Sequence, residues 1–174
     1  MKSTAIVIAA ATAICATHVS LPAEGEPAGN KAFRRIPIPK REHGYSSMKS
    51  VVIRTKPELD GFLKKVRGQN GWNNRRGFED AIKKARVDFG KEALVLLRHT
   101  ESSGSNRVTF EKPTLRNRVL TCRITRKVAK LGSCDMAYYC FALALSKSAA
   151  DTVELHIQGR KPVKLSIAEK RSNK

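Results

Sequence analysis

A histidine two residues before a glutamate opens the stretch of this chain best suited to acid–base chemistry, His99-Thr100-Glu101-Ser102-Ser103-Gly104-Ser105-Asn106. Imidazole and carboxylate are common partners for proton transfer near neutral pH. With His156, and an arginine such as Arg107 or Arg123 to stabilise a phosphoryl transition state, the stretch describes a small nuclease. The structural reading of the same residues is a histidine at the end of a buried strand, followed by serines in a hydrogen-bonding loop. No G-x-S-x-G elbow surrounds those serines to present a nucleophile. His99, Thr100, Glu101, Ser103 and Asn106 therefore stand as a candidate loop site with no catalytic residue assigned.

The second chemistry is electrostatic. The chain has 34 Lys and Arg against 15 Asp and Glu, and residues 112–134 hold seven of those bases and no acid. Strand alternation places Arg123 and Lys127 on a wet face and Arg126 on the apolar side. Together with Arg118 these form the candidate polyanion-binding set, for nucleic acid, acidic polysaccharide or an anionic membrane face. Aromatic interleaving is thin, because Tyr138 and Tyr139 fall in an apolar strand, so nonspecific attraction is expected in place of base recognition. A merely solvated surface is the alternative reading of this charge.

Residues 1–23 read as a signal peptide: Lys2, then a small and apolar run from Ala5 to Ala16. The expected location is periplasmic or extracellular. Those residues hold one lysine and no acid, so the remainder carries 33 bases against 15 acids, net +18. No later stretch is long enough for a transmembrane helix. Three cysteines remain, Cys122, Cys134 and Cys140. Export argues for one disulfide, and Cys122–Cys134 is the preferred pair because Cys140 sits among apolar neighbours. Their spacing suits no zinc site, and no phosphate-loop or dinucleotide glycine pattern is present, so neither metal nor cofactor is expected.

The elements that must position these residues are legible from periodicity. Residues 24–50, rich in proline and glycine, read as a flexible leader, with Phe33–Pro39 able to lie along the domain as polyproline or an edge segment. Val51–Arg54 is a short strand. Thr55-Lys56-Pro57-Glu58 is a capping box, followed by Leu59, Phe62, Leu63 and Val66 on one helical stripe. Phe78, Ala81, Ile82 and Ala85 mark a second helix, with Trp72 plugging the core between the two. Ala93–Leu97 is an apolar run expected to be buried on both faces. Beyond it the period changes to two: Val108 and Phe110; Leu120, Cys122 and Ile124; Val153, Leu155 and Ile157; then a hairpin into Val163 and Leu165. Met136–Leu145 is a second central strand. The expectation is one α+β domain over 51–167, a mainly antiparallel sheet of about six strands with two helices on one face, ending in a basic tail at 168–174.

This order of elements, together with Val87-Asp88-Phe89-Gly90-Lys91-Glu92 and the apolar Leu94–Leu97, resembles the PrcB-type C-terminal domain of exported bacterial proteins. That family is named for a subunit that supports a secreted protease complex, and the resemblance implies a binding or stabilising module. The sequence thus favours an exported noncatalytic binding or protein-stabilising module with a basic surface, taking a protein partner or a polyanion. A small secreted nuclease or other hydrolase is the alternative, and whether the chain is an enzyme stays open.

Overall fold

The computed structural model describes residues 32–168. The expected signal peptide, residues 24–31 of the leader and the tail from residue 169 lie outside the described residues. Among the described residues, nine strands and two helices make an α+β fold. They are β1 (Phe33–Ile36), β2 (Val51–Ile53), α1 (Lys56–Arg67), α2 (Arg75–Lys84), β3 (Glu92–Glu101), β4 (Arg107–Phe110), β5 (Thr114–Arg116), β6 (Val119–Lys127), β7 (Ala137–Ser146), β8 (Thr152–Ile157) and β9 (Val163–Ser166).

The strands form two sheets where the sequence led to the expectation of one. The first has the order β1-β7-β3-β2; the second has β4-β6-β8-β9, with β5 also paired to β6. Pairing is antiparallel except at β6 and β8, which run parallel. Short connections argue for antiparallel neighbours only when consecutive strands share a sheet. Here β7, the strand between them in sequence, belongs to the other sheet and serves as the crossover.

β3 and β7 explain the double-faced apolar runs. Val95, Leu97, Tyr139, Phe141, Leu143 and Leu145 face a core shared with the second sheet. Leu94, Leu96, Cys140, Ala142 and Ala144 face a second core beneath the helices. The register sets Ala142 opposite Leu96 and Ala144 opposite Leu94, so small residues alternate with large ones under the helical layer.

Local signals hold the helices as expected. Thr55 caps α1 by accepting from the Glu58 amide at 3.2 Å, and Asn74 caps α2 by accepting from Gly77 at 3.1 Å. The Glu58 carboxylate reaches back to the Arg54 amide at 2.6 Å, one residue before the position a standard capping box uses. Trp72 is buried as expected, edge-on to Tyr45 with ring centroids 5.3 Å apart. The indole packs so closely on Gly44 that a Cβ there would overlap it.

Two further expectations need correction. The leader is not loose over its described part: Phe33–Ile36 pairs with Ala142–Leu145, and Ile36, Tyr45 and Met48 are buried. Of the readings open for Phe33–Pro39, the edge segment is the one adopted, and Pro37 follows the last paired residue, as an edge strand permits. A single turn of 3-10 helix over His43–Ser47 then sets Tyr45 into the core, with its hydroxyl donating to the Pro39 carbonyl at 2.5 Å.

The second correction is the disulfide. Cys122, Cys134 and Cys140 are all free thiols. Cys122 points into the inter-sheet core, Cys140 into the core under the helices, and Cys134 is exposed on the β6–β7 loop. Cys122 lies about 16 Å of strand before that loop begins. A disulfide needs the two Cα atoms within about 7 Å.

Candidate functional site

The structure divides the candidate residues into a buried network and an exposed face. The network starts from the alternation of β3, which carries His99 and Glu101 on the same side as Val95 and Leu97, toward the second sheet. Both side chains are 0% exposed. His99 Nε2 lies 2.6 Å from Glu101 Oε1. The other carboxylate oxygen accepts from Asn106 Nδ2 at 2.8 Å and from the Arg126 guanidinium at 2.7 Å. Asn106 Oδ1 in turn accepts the Ala129 amide at 3.1 Å, which ties down the start of the β6–β7 loop.

Burial lowers the pKa of His99, outweighing the opposing pull of its hydrogen bond to Glu101. The imidazole is therefore neutral near pH 7, and its Nε2–H donates to the carboxylate. Burial works the other way on Glu101, raising its pKa. The hydrogen bonds from Asn106, His99 and Arg126 prevail and hold the carboxyl below its ordinary range. The result is an ionised carboxylate compensated by Arg126, linking β3 of the first sheet to β6 of the second. His99 Nδ1 and Arg126 Nε are buried without a hydrogen-bond partner.

This geometry brings His99, Glu101 and Asn106 of the candidate loop site together and separates the rest. Thr100 turns to the opposite side of β3, where its hydroxyl is buried without a partner and its carbonyl accepts from Arg160 at 3.2 Å. Ser103 sits in the outer loop with its hydroxyl 3.2 Å from that of Ser133. A histidine–carboxylate pair has the composition of a general base, but these two side chains present no surface to a substrate. As arranged, they brace the two sheets. Among the described residues no three metal-ligating side chains come together, and no helix is long and apolar enough to cross a membrane.

The basic set also splits. Arg126 is committed to Glu101, its side chain only 25% exposed, and is corrected from a binding residue to a strut. Arg118, in the tight turn between β5 and β6, has a positive φ of 61° and grips both oxygens of Asp151 at 2.6 Å. The pair is exposed, with side chains 52% and 60% accessible, so Arg118 differs from the remaining members of the set in having an acidic partner within the chain.

Arg123 and Lys127 stay exposed on the outer face of the second sheet, as alternation predicted. The register adds what alternation alone did not reveal. Arg107 lies directly opposite Lys127, Thr109 opposite Thr125, and His156 beside Arg123. Like charges directly opposed on one face of an antiparallel pair, with Cβ atoms about 5 Å apart, are unfavourable. Across the same sheet, Glu154 is engaged by Lys164 at 2.8 Å and His156 at 3.0 Å, and Glu111, whose amide donates to the Arg123 carbonyl at 3.0 Å, follows Phe110 at the Arg123 end of the face. Arg107 entered the sequence reading only as a possible catalytic arginine; its place beside Lys127 rests on a pairing twenty residues away in the chain.

Compared with family models, curated proteins and solved structures, the chain matches none.

Proposed function

We propose that the chain is an exported, noncatalytic binding module whose cationic sheet face takes polyanions. The observation that carries this reading is the apposition of Arg107 and Lys127, both exposed and neither in an ion pair among the described residues. An anion lying across the pair relieves their repulsion and exchanges condensed counterions for fixed charges. Arg123 continues the same face four residues along β6, about 13 Å from Lys127, a span suited to an extended anionic chain.

The noncatalytic half of the reading is supported by the burial of the His99–Glu101 pair, which fits a brace better than a reacting centre. The likeness of Val87–Glu92 to the PrcB-type domain points the same way, and export rests on the composition of residues 1–23.

The test is heparin and RNA binding as a function of salt. The double variant Arg123→Glu, Lys127→Glu should bind at least about tenfold more weakly, with the slope of log affinity against log salt reduced by about two. Its far-ultraviolet circular dichroism should be unchanged. Binding indifferent to the variant or to salt refutes the basic-face reading. Turnover of RNA by the purified chain, lost on His99→Gln, replaces it with a hydrolase.

A further inference from the structure

Among the described residues, the large apolar side chains that stand strongly exposed are Val128 at 63%, Leu131 at 90%, Met136 at 54% and Val163 at 41%. Three of these four fall within residues 128–136, the β6–β7 loop. Single exposed apolar residues are ordinary, whereas a local concentration of them marks a contact surface.

The loop is held on both sides. The Ala129 amide donates to Asn106, the Ser133 amide to the Ser105 hydroxyl at 3.2 Å, and the Gly104 amide to the Asp135 carbonyl at 2.9 Å. Leu131 is presented to water from between fixed points, so its exposure is built into the loop.

Cations flank it in the chain and across the strand pairing. Lys127 and Lys130 precede Leu131 in the chain, and Arg107 faces Lys127. The β8–β9 turn, with exposed Arg160 and Lys161, is tied to this end by Gln158, whose amide donates to Ile124 at 3.2 Å and whose side chain accepts from the Arg126 amide at 3.3 Å. The nearby acids are already taken: Asp135 by Arg41 at 2.9 Å, and Glu101 inside the protein.

We propose that this pole docks on an anionic lipid surface, with Leu131 and Val128 entering the boundary between headgroups and acyl chains while the flanking lysines and arginines meet lipid phosphates. The proposal rests on the polyanion reading above and names a membrane as the polyanion. A bilayer interface rewards both features at once, aliphatic side chains by burial and cations by the negative surface potential. Nucleic acid or a sulfated polysaccharide would reward only the charge, since aliphatic side chains offer bases no stacking platform.

The experiment is sedimentation of the chain with vesicles of phosphatidylglycerol and phosphatidylcholine, against pure phosphatidylcholine, at low and physiological salt, with heparin binding measured in parallel. The expected result is binding to the anionic vesicles that persists in part at physiological salt. Leu131→Ser should weaken vesicle partitioning about tenfold and leave heparin affinity unchanged. In Leu131→Trp, the fluorescence of the new indole should shift to the blue on adding anionic vesicles. If Leu131→Ser partitions like the parent chain, or the Leu131→Trp emission does not move, the lipid proposal is overturned while heparin binding leaves the basic-face reading standing. If neither vesicles nor heparin bind, both fall.

Discussion

Replacing Arg126 by Gln separates the two roles its position suggests. If Arg126 were a surface cation, the change would weaken polyanion binding and leave stability alone. In the structure its guanidinium lies 2.7 Å from the carboxylate of Glu101, a side chain with no exposed surface. Removing one partner of a buried pair strands the other charge, at a cost of about 3–5 kcal/mol. Arg126 is a quarter exposed, so water replaces part of the lost contact, and Asn106 and His99 still donate to Glu101. A loss of about 2–3 kcal/mol is the better figure, which for a domain of this size lowers Tm by roughly 6–15 °C. Urea and thermal unfolding measure it. Glu101→Gln should cost stability too, and the double variant should be less destabilised than the sum of the singles, with a coupling of about 1 kcal/mol or more. Heparin affinity of Arg126→Gln should stay within about twofold of the parent chain, because its cation is not offered to the outer face. The reasoning is refuted if Arg126→Gln melts with the parent chain, if the two substitutions are additive, or if heparin binding collapses while stability is kept.

Other outcomes follow from the same geometry. Burial lowers the pKa of His99 below its ordinary 6.5, so the unfolded chain takes up a proton that the folded chain refuses; stability should fall as pH drops below about 6.5, and His99→Gln should flatten that dependence in urea unfolding between pH 7 and 5. Glu101 adds a second decline at lower pH, since its depressed pKa makes the folded carboxylate harder to protonate than the unfolded one; the contribution is present above about 4.5 and lost as pH falls through the folded value. Gly44→Ala drives a methyl into the Trp72 indole and should cost about 1–3 kcal/mol, with an altered near-ultraviolet dichroism of the aromatic cluster. Burial pushes the thiols of Cys122 and Cys140 up to about 12, so in the chain lacking residues 1–23, and hence Cys15, a thiol reagent at neutral pH should label Cys134 alone in the native state and all three cysteines after denaturation; a single labelled cysteine in that denatured, unreduced protein would restore the expected disulfide.

Periodicity is a property of neighbouring residues, which is why so much of the fold is legible in the sequence. Ala93–Leu97 had to be covered on both faces, Thr55 and the stripe from Leu59 had to start a helix, and Arg123 and Lys127 had to share a face, because side-chain direction repeats every two residues in a strand and every 3.6 in a helix. Those rules say nothing about which strand lies beside which. That β7 leaves for the other sheet, letting β6 and β8 pair in parallel, depends on contacts between residues far apart in sequence. The same holds for Phe33–Ile36, whose sequence is compatible with a loose leader until β7 offers it an edge. The functional residues divide along this line. Alternation alone put Arg126 on the apolar side, but only packing supplied Glu101 as its partner, twenty-five residues back in the chain. Arg118 gains its acidic partner Asp151 for the same reason. Register brought Arg107 opposite Lys127, and register is decided by burying Val108 and Phe110 against the inter-sheet core, which leaves the two cations facing water together.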